Sequence, residues 1–522
     1  MTSQESTTTS RGKSMTSRGK PMTSEEKPMT SEAPPPELSP TLSFPLGHRA
    51  QLAARAAAAQ IRIRLRGLRS GGSWRSLGDV RAALEGPGTP ISEYVVRHWQ
   101  EDAFFGEQFL SGVNPVLLRR CRRLPPNLPL SEAEVAPSLG PGTSLQQEME
   151  AGRLFLADYA LLEGLPTGAI GGHPQFVAAP LCLLWLSPRG RLLPVAIQLS
   201  QRPGPGSPIF VPGGPGWALA KLWVRGAHFV LHEMVTHLLH GHFLAEAFAV
   251  ATQRLPAAHP VHQLLLPHLR FTFHINILAR ETLLNPGGII DQATSVGREG
   301  TLALVARGTA ALTLGELCVP DDVAARGVGD IPGYHYRDDA LDIWGAIHSY
   351  VQGVVALFYA EDTAVAEDEE LQEWVGEIFT YGVLGNERSV PDHDHLLLLR
   401  PARGRQQRPV RLRRLDAQHA GLAAAPPPAS AAEATEELLV ATLPSPEATG
   451  ALLALLSVVS YEASPGVPFP GPAGRAGPSL PPGRLPGAPG RDLGADPGPE
   501  RGAGTALPLP GAHLRPGEHL HL

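Results

Sequence analysis

His232-Glu-Met-Val-Thr-His237-Leu-Leu-His240-Gly-His242-Phe-Leu-Ala-Glu246 is the stretch on which the reading of this chain turns. It is a largely apolar run carrying four histidines. Imidazole is the commonest metal ligand, and two of them on a buried helix are what a metal centre needs. The spacing limits the kind of centre. Residues four apart on an α-helix are separated by roughly 40° and face one ion, as in a metalloprotease helix. His237 and His242 are five apart, which is roughly 140° on an ideal α-helix. They converge only where the helix widens into a π-type turn, a rare feature that concentrates at functional sites. The competing reading is a histidine-rich packed helix whose rings bond to backbone carbonyls.

Composition narrows the class. The chain has 522 residues, 43% of them hydrophobic, which is enough for a substantial core. A formal net charge of −6 argues against nucleic acid as the main partner. Cys121, Cys182 and Cys318 are far apart and odd in number, which fits a reducing, cytoplasmic setting rather than a disulfide scaffold. No secretory leader pattern opens the chain, and no uncharged apolar run of about 20 residues predicts a membrane span.

Residues 1–50 are low-complexity sequence that opens with seven-residue repeats such as MTSRGKP and MTSEEKP, read as disordered, and 51–73 read as a linker in which Ile61–Arg66 alternates like one strand. Globular text runs over 74–463. Helical patterns cover Ser92–Leu110, Leu145–Leu165, Ala218–Leu255, Leu341–Tyr359 and Asp368–Leu384, while Pro194–Ser200 and Leu181–Leu186 read as paired strands. Arg119, Arg120, Arg122 and Arg123 read as a solvated helix face rather than an anion site, and Glu433–Glu437 as a helix start. Within the globular part, 391–428 is aberrant: Arg400 to Arg414 carries seven arginines, no acid, and no helical or strand period. Residues 464–522 are dominated by Pro and Gly and read as a disordered tail.

A second histidine run, Ala258-His259-Pro-Val-His262-Gln-Leu-Leu-Leu-Pro267-His268, precedes Arg270-Phe-Thr-Phe-His-Ile-Asn276. Further strings are Trp99-Gln-Glu-Asp-Ala-Phe-Phe-Gly106, Gly112–Pro115, Leu156–Tyr159, Ala179–Leu184, Pro194–Ser200 and Asp330–Asp339. Together these resemble the lipoxygenase family, specifically the animal enzymes, with the two histidine runs matching its two signatures in order. The resemblance implies a mainly α, multi-helix catalytic domain with a few short strands, flanked by disordered ends. It implies a non-haem iron dioxygenase that adds O2 to a polyunsaturated fatty acid such as arachidonate or linoleate after hydrogen abstraction from a 1,4-pentadiene. On this resemblance His237 and His242 bind the iron and His232 is supporting. Leu238 and Leu283 flank the reacting pentadiene, and Ala279 stands at a position linked to product stereochemistry. Leu278 and Gln292 stand where some relatives carry an arginine for the fatty-acid carboxylate.

The sequence also departs from that family. Its N-terminal lipid- and calcium-binding β-sandwich has no counterpart before Trp74, so only peripheral membrane contact is implied, and not through that domain. The family's remaining helix ligands belong in Pro391–Pro427, which lacks any His-x-x-x-Asn pattern. Plausible codons for Pro401–Gln407, read one base out of phase, give His-Ala-Ala-Val-Asn, so an out-of-frame segment is the expectation there. The family's terminal isoleucine is replaced by Leu522. The chain as written is therefore expected to bind iron weakly and to be impaired. Three readings stay open: a dioxygenase or epidermal-type hydroperoxide isomerase, a catalytically dead lipid-binding scaffold, and a zinc hydrolase using His232 and Glu233.

Overall fold

A computed structural model describes Trp74, Ser76, Gly78, Tyr94, Val95, 97–140, 142–389 and 423–443. The chain divides into two units, Met1–Ser39 and Pro40–Leu522, and every described residue lies in the second. The Ile61–Arg66 strand, the low-complexity start, the linker, residues 391–422 of the aberrant segment and the Pro/Gly-rich tail all fall outside the described residues.

The architecture is mainly helical around one antiparallel sheet. Its strands are β1 (Arg119–Arg120), β2 (Leu154–Asp158), β5 (Leu181–Leu186), β6 (Leu192–Gln198) and β7 (Ile209–Phe210), in the order β1-β2-β5-β6-β7. A separate small hairpin pairs β3 (Ala169–Ile170) with β4 (His173–Pro174). The expected pairing of Leu181–Leu186 with the Pro194 strand is present, with Leu181 opposite Gln198. Alternation along β5 separates two packing layers. Cys182 and Leu184 enter the main core, whereas Leu181, Leu183 and Trp185 pack on a second cluster with Leu128, Val135 and Leu145. Sheets covered on both faces read as continuous apolar runs, which is why LCLLWL lacks a polar stripe.

Helix α1 (Asp102–Ser111) crosses the sheet at Gly106, where a Cβ would collide with the Leu192 carbonyl. Beyond the sheet, α2 (Trp217–Leu231), a π-helical segment (His232–Phe243) and α3 (Leu244–Arg254) run on without a break, as the Ala218–Leu255 pattern predicts. There follow α4 (Pro260–Leu265), α5 (Thr272–Ala279), a second π turn (Arg280–Leu284), α6 (Gly297–Ala311), α7 (Val319–Arg326), α8 (His335–Val355) and α9 (Glu369–Glu377). Helix α10 (Glu436–Thr442) starts where the acidic run predicts, its Thr435 side chain accepting from the Leu438 amide. Among the described residues no helix is long and apolar enough to cross a membrane.

Three expectations are corrected. Ser92–Leu110 is not one helix: a turn at Trp99–Gln100 and extended Glu101 precede the helix that starts at Asp102. Leu145–Leu165 is not one helix: it is a short helix at Leu145–Glu150 and then β2. Gly152, at φ +69°, breaks the helix, and Leu154–Asp158 finds a buried partner in β5, so tertiary pairing overrides the helical pattern. Nor are the clustered arginines a helix face. Arg119 and Arg120 form β1, and Arg120 turns inward, donating to the carbonyls of Gly327 and Gly152 and pairing with Asp330. Arg326 similarly pairs with Asp322 inside the core and donates to the Leu118 carbonyl. These guanidiniums tie the turn after α7 to the sheet edge.

Glu148, 3% exposed, accepts from Arg153 (2.8 Å), Trp185 (2.7 Å) and Thr143 (2.5 Å). The Arg153 hydrogen bond outweighs burial and lowers its carboxyl from 4.5 to about 2. A depressed carboxylate contributes stability above its unfolded pKa and loses it as pH falls through the folded value. That contribution is at most on the order of 3 kcal/mol, trimmed because Arg153 is partly exposed. Denaturant titrations should show the wild-type advantage over Glu148→Gln shrinking between pH 4.5 and about 2. An advantage constant across that window would contradict this account.

Candidate metal centre

The π segment His232–Phe243 is twelve residues long, more than the single-turn bulge that the spacing alone requires. Its i→i+5 turns put residues five apart on one face. Several neighbours hold it in that form. Gly308 on α6 lies against it so closely that a Cβ would meet Leu239 at 3.0 Å and Val235 at 3.3 Å. The Thr301 hydroxyl on the same helix, which donates to the Gly297 carbonyl, sits 3.4 Å from the Met234 sulfur, and Thr236 donates to buried Asn114 at 3.3 Å.

The result is convergence. Nε2 of His237 and Nε2 of His242 stand 3.1 Å apart, with ring planes at 62°. Each Nδ1 is already engaged. That of His237 donates to Glu233 at 2.9 Å, and that of His242 to the Asn276 amide oxygen at 2.9 Å. Burial pushes the Glu233 carboxyl up, but the His237 charge and the bonds to His232 and His237 hold it far below the usual range, so it is an anion and only accepts. Burial opposes a charge on His237, yet the Glu233 carboxylate raises its pKa. With both protons on Nδ1, the neutral rings turn two lone pairs towards each other at 3.1 Å. That is repulsive unless a positive charge lies between them, either a proton on His237, whose pKa Glu233 raises, or a metal ion. Two nitrogens roughly 2.1 Å from one ion and at right angles to each other stand about 3.0 Å apart. The donor set and spacing thus fit one imidazole-loving cation.

His232 stacks on His237, with ring centroids at 5.9 Å and planes at 16°. The Glu233 carboxylate is engaged by Nδ1 of His237 at 2.9 Å and lies 3.4 Å from Nδ1 of His232, so it is not a free base, which removes the support for the zinc-hydrolase reading. Leu238 lies within the π segment and packs on the main core, while Ala279 and Leu283 lie at and beyond the end of α5; all three are half-buried. Leu278 and Gln292 are exposed. The partners Asn276 and Glu233 were not assigned from sequence. Glu233 sits at the helical i−4 position and was findable, whereas Asn276 is 34 residues from His242, and no local pattern announces it.

The second histidine run does something else. His259 lies within reach of Asp368 and Glu370, a grouping of potential metal donors. Its Nδ1, however, accepts from the Val261 amide at 3.1 Å, capping α4, so the ring proton is on Nε2, facing Asp368 at 3.2 Å. A nitrogen that carries a proton offers no lone pair to a metal. Asp368 in turn caps α9 through the Leu371 amide and accepts from the Tyr359 hydroxyl at 2.6 Å. This is a joint between two helix starts.

The lipoxygenase family model matches residues 87–389, more than half of the chain, and the chain belongs to that family. The match ends where the sequence changes character. The chain is 47% identical over 416 residues to "Polyunsaturated fatty acid lipoxygenase ALOX15B" of Rattus norvegicus, covering 75% of this chain and 60% of that protein. It is 52% identical over 344 residues to "Hydroperoxide isomerase ALOXE3" of Mus musculus, covering 65% and 48%. A solved structure described as "Anaerobic crystal structure of delta413-417:GS LOX in complex with arachidonate" superposes with a TM-score of 0.75 at 30% identity, covering 81% of this chain and 66% of that one. The chain spans 60% and 48% of the lengths of the two curated relatives, and its fold is the mainly α lipoxygenase catalytic architecture.

His259→Ala should cost about 1–2 kcal/mol through the lost cap and leave metal affinity at His237 and His242 unchanged. Chemical denaturation and metal titration on the same samples check both halves. A large loss of metal binding would restore a ligand role to His259.

Proposed function

We propose that this chain carries the catalytic core of a non-haem iron dioxygenase that acts on polyunsaturated fatty acids, with His237 and His242 as iron ligands. The observation that carries the reading is the 3.1 Å approach of their Nε2 atoms across a π-helical segment. Imidazole ligands with further positions open to oxygen donors suit iron. Iron, when bound, supplies one-electron chemistry able to break the weak C–H bond between two double bonds.

The chain's own residues do the rest. Glu233 keeps a proton on Nδ1 of His237, so that its Nε2 stays a donor towards the metal. Leu238, Ala279 and Leu283 offer apolar surface for the acyl chain. The similar structure described as a complex with arachidonate and the relative named for polyunsaturated fatty acids support this substrate class. The family's other ligands belong to Pro391–Pro427, of which only 423–427 are described, and to the C-terminus, which lies outside the described residues. We infer that 391–421 is an out-of-frame reading. The nucleotide sequence there tests this: an alternative frame with no histidine codon overturns it.

A second reading, hydroperoxide isomerase, is favoured by the 52% identity to a protein of that name. Both activities use one metal site, so one experiment separates them. The protein is titrated with ferrous iron without oxygen and then offered arachidonate with O2, or a fatty-acid hydroperoxide without O2. The account expects iron to bind weakly, with His237→Ala or His242→Ala each lowering affinity at least about tenfold. Turnover per bound iron should give a conjugated diene in the first case or an epoxyalcohol in the second. Iron bound with neither product would leave the lipid-binding scaffold. Binding indifferent to both alanine variants would contradict the metal assignment.

A further inference from the structure

We propose that Asn276 is a positioning residue that fixes the tautomer and heading of His242, and that the Glu246–Arg280 pair fixes the Asn276 amide in turn. The inference rests on the reading of His237 and His242 as metal ligands and goes one layer beyond it.

Asn276 is 2% exposed and lies on α5, across from the π segment. Its amide has one oxygen that accepts and one nitrogen that donates twice. The nitrogen is placed on two acceptors: the His242 carbonyl at 3.1 Å and Glu246 Oε2 at 2.8 Å. Flipping the amide would set its oxygen against both, two acceptor–acceptor contacts in a buried place, and each would leave a group unsatisfied. The orientation is therefore decided by its surroundings. The oxygen is left facing Nδ1 of His242 at 2.9 Å, so that nitrogen must carry the proton. Nε2 is then a lone pair aimed at His237.

Glu246 is itself held. Arg280, at the start of the π turn that follows α5, donates to Glu246 Oε1 at 2.9 Å and lies 5.8 Å from the Phe243 ring. The order of control runs from Arg280 to Glu246, to Asn276, to His242. The two ligand candidates are thus supported unequally: His237 by a carboxylate, His242 by a neutral amide. Residues 276, 279, 280 and 283 recur at helical spacing. The support of the ligand and two of the apolar residues assigned to the acyl chain, Ala279 and Leu283, therefore lie along α5 and the π turn that follows it.

Three variants test this by nitrogen NMR of the metal-free protein in mildly alkaline solution and by cobalt(II) titration. Wild type should show His242 as the Nδ1–H tautomer. Asn276→Leu, similar in volume and without polar atoms, should give a mixed or Nε2–H tautomer and a cobalt affinity lower by about 10–100-fold. Asn276→Asp should also weaken binding, because two carboxylates then face each other. Adding Glu246→Gln to Asn276→Asp replaces the clash with Glu246 by a donor and leaves only the clash with the His242 carbonyl, so it should recover part of the affinity that Asn276→Asp loses. That pair keeps the test decisive if Asn276→Leu folds poorly. An unchanged tautomer and affinity in Asn276→Leu, or no recovery in the pair, overturns the proposal. Cobalt binding that ignores His237→Ala would instead overturn the metal reading, while the metal-free tautomer still judges Asn276.

Discussion

Two imidazole lone pairs aimed at one point are the constraint around which the described structure is arranged. Such an arrangement is unfavourable by itself, since neither ring can donate to the other when both protons are held elsewhere. It persists because the surroundings determine it. Glu233 and the amide of Asn276 take the Nδ1 protons. The π segment brings the rings together, at the expense of the better hydrogen-bond geometry of an α-helix. Local strain of this sort is retained where neighbouring packing over-determines it.

The packing that does so comes from several parts of the chain. Gly308 lets α6 lie close against Val235 and Leu239. Asn114, from the loop after α1, takes the Thr236 hydroxyl. Beneath, α2 packs with the sheet in the main core, where Trp223, Val230 and Leu231 join Phe155, Leu184 and Ile197. On the far side, α3 and α9 share a smaller core, with Phe248 edge-on to Trp374 and the Trp374 indole donating to Thr252. The helix that carries His237 and His242 is thus packed along its length, which suits the precise placement that the proposed metal site requires.

Much of this was legible in the residues. The five-residue histidine step demanded a widened helix, and one is present. The apolar runs around Leu181 and Pro194 announced a buried pair of strands, and the Glu433–Glu437 run announced the start of α10. What could not be read has physical causes. β2 carries a helix-compatible pattern, and only its long-range partner makes it a strand. Arg120 looked like a surface charge because its acceptors, Gly152 and Gly327, are distant in sequence. The role of Asn276 depends on a contact across 34 positions, and that of His259 on a tautomer set by the Val261 amide. Residue type and spacing encode periodicity well; they do not encode which distant polar atom completes a hydrogen bond.

Anomalous scattering at the iron edge, from crystals grown with ferrous iron, tests the central claim most directly. The account predicts a single strong peak between His237 and His242, about 2.1 Å from each Nε2. A peak beside His259, Asp368 and Glu370 instead, or none between the two converging rings at saturating iron, would contradict it.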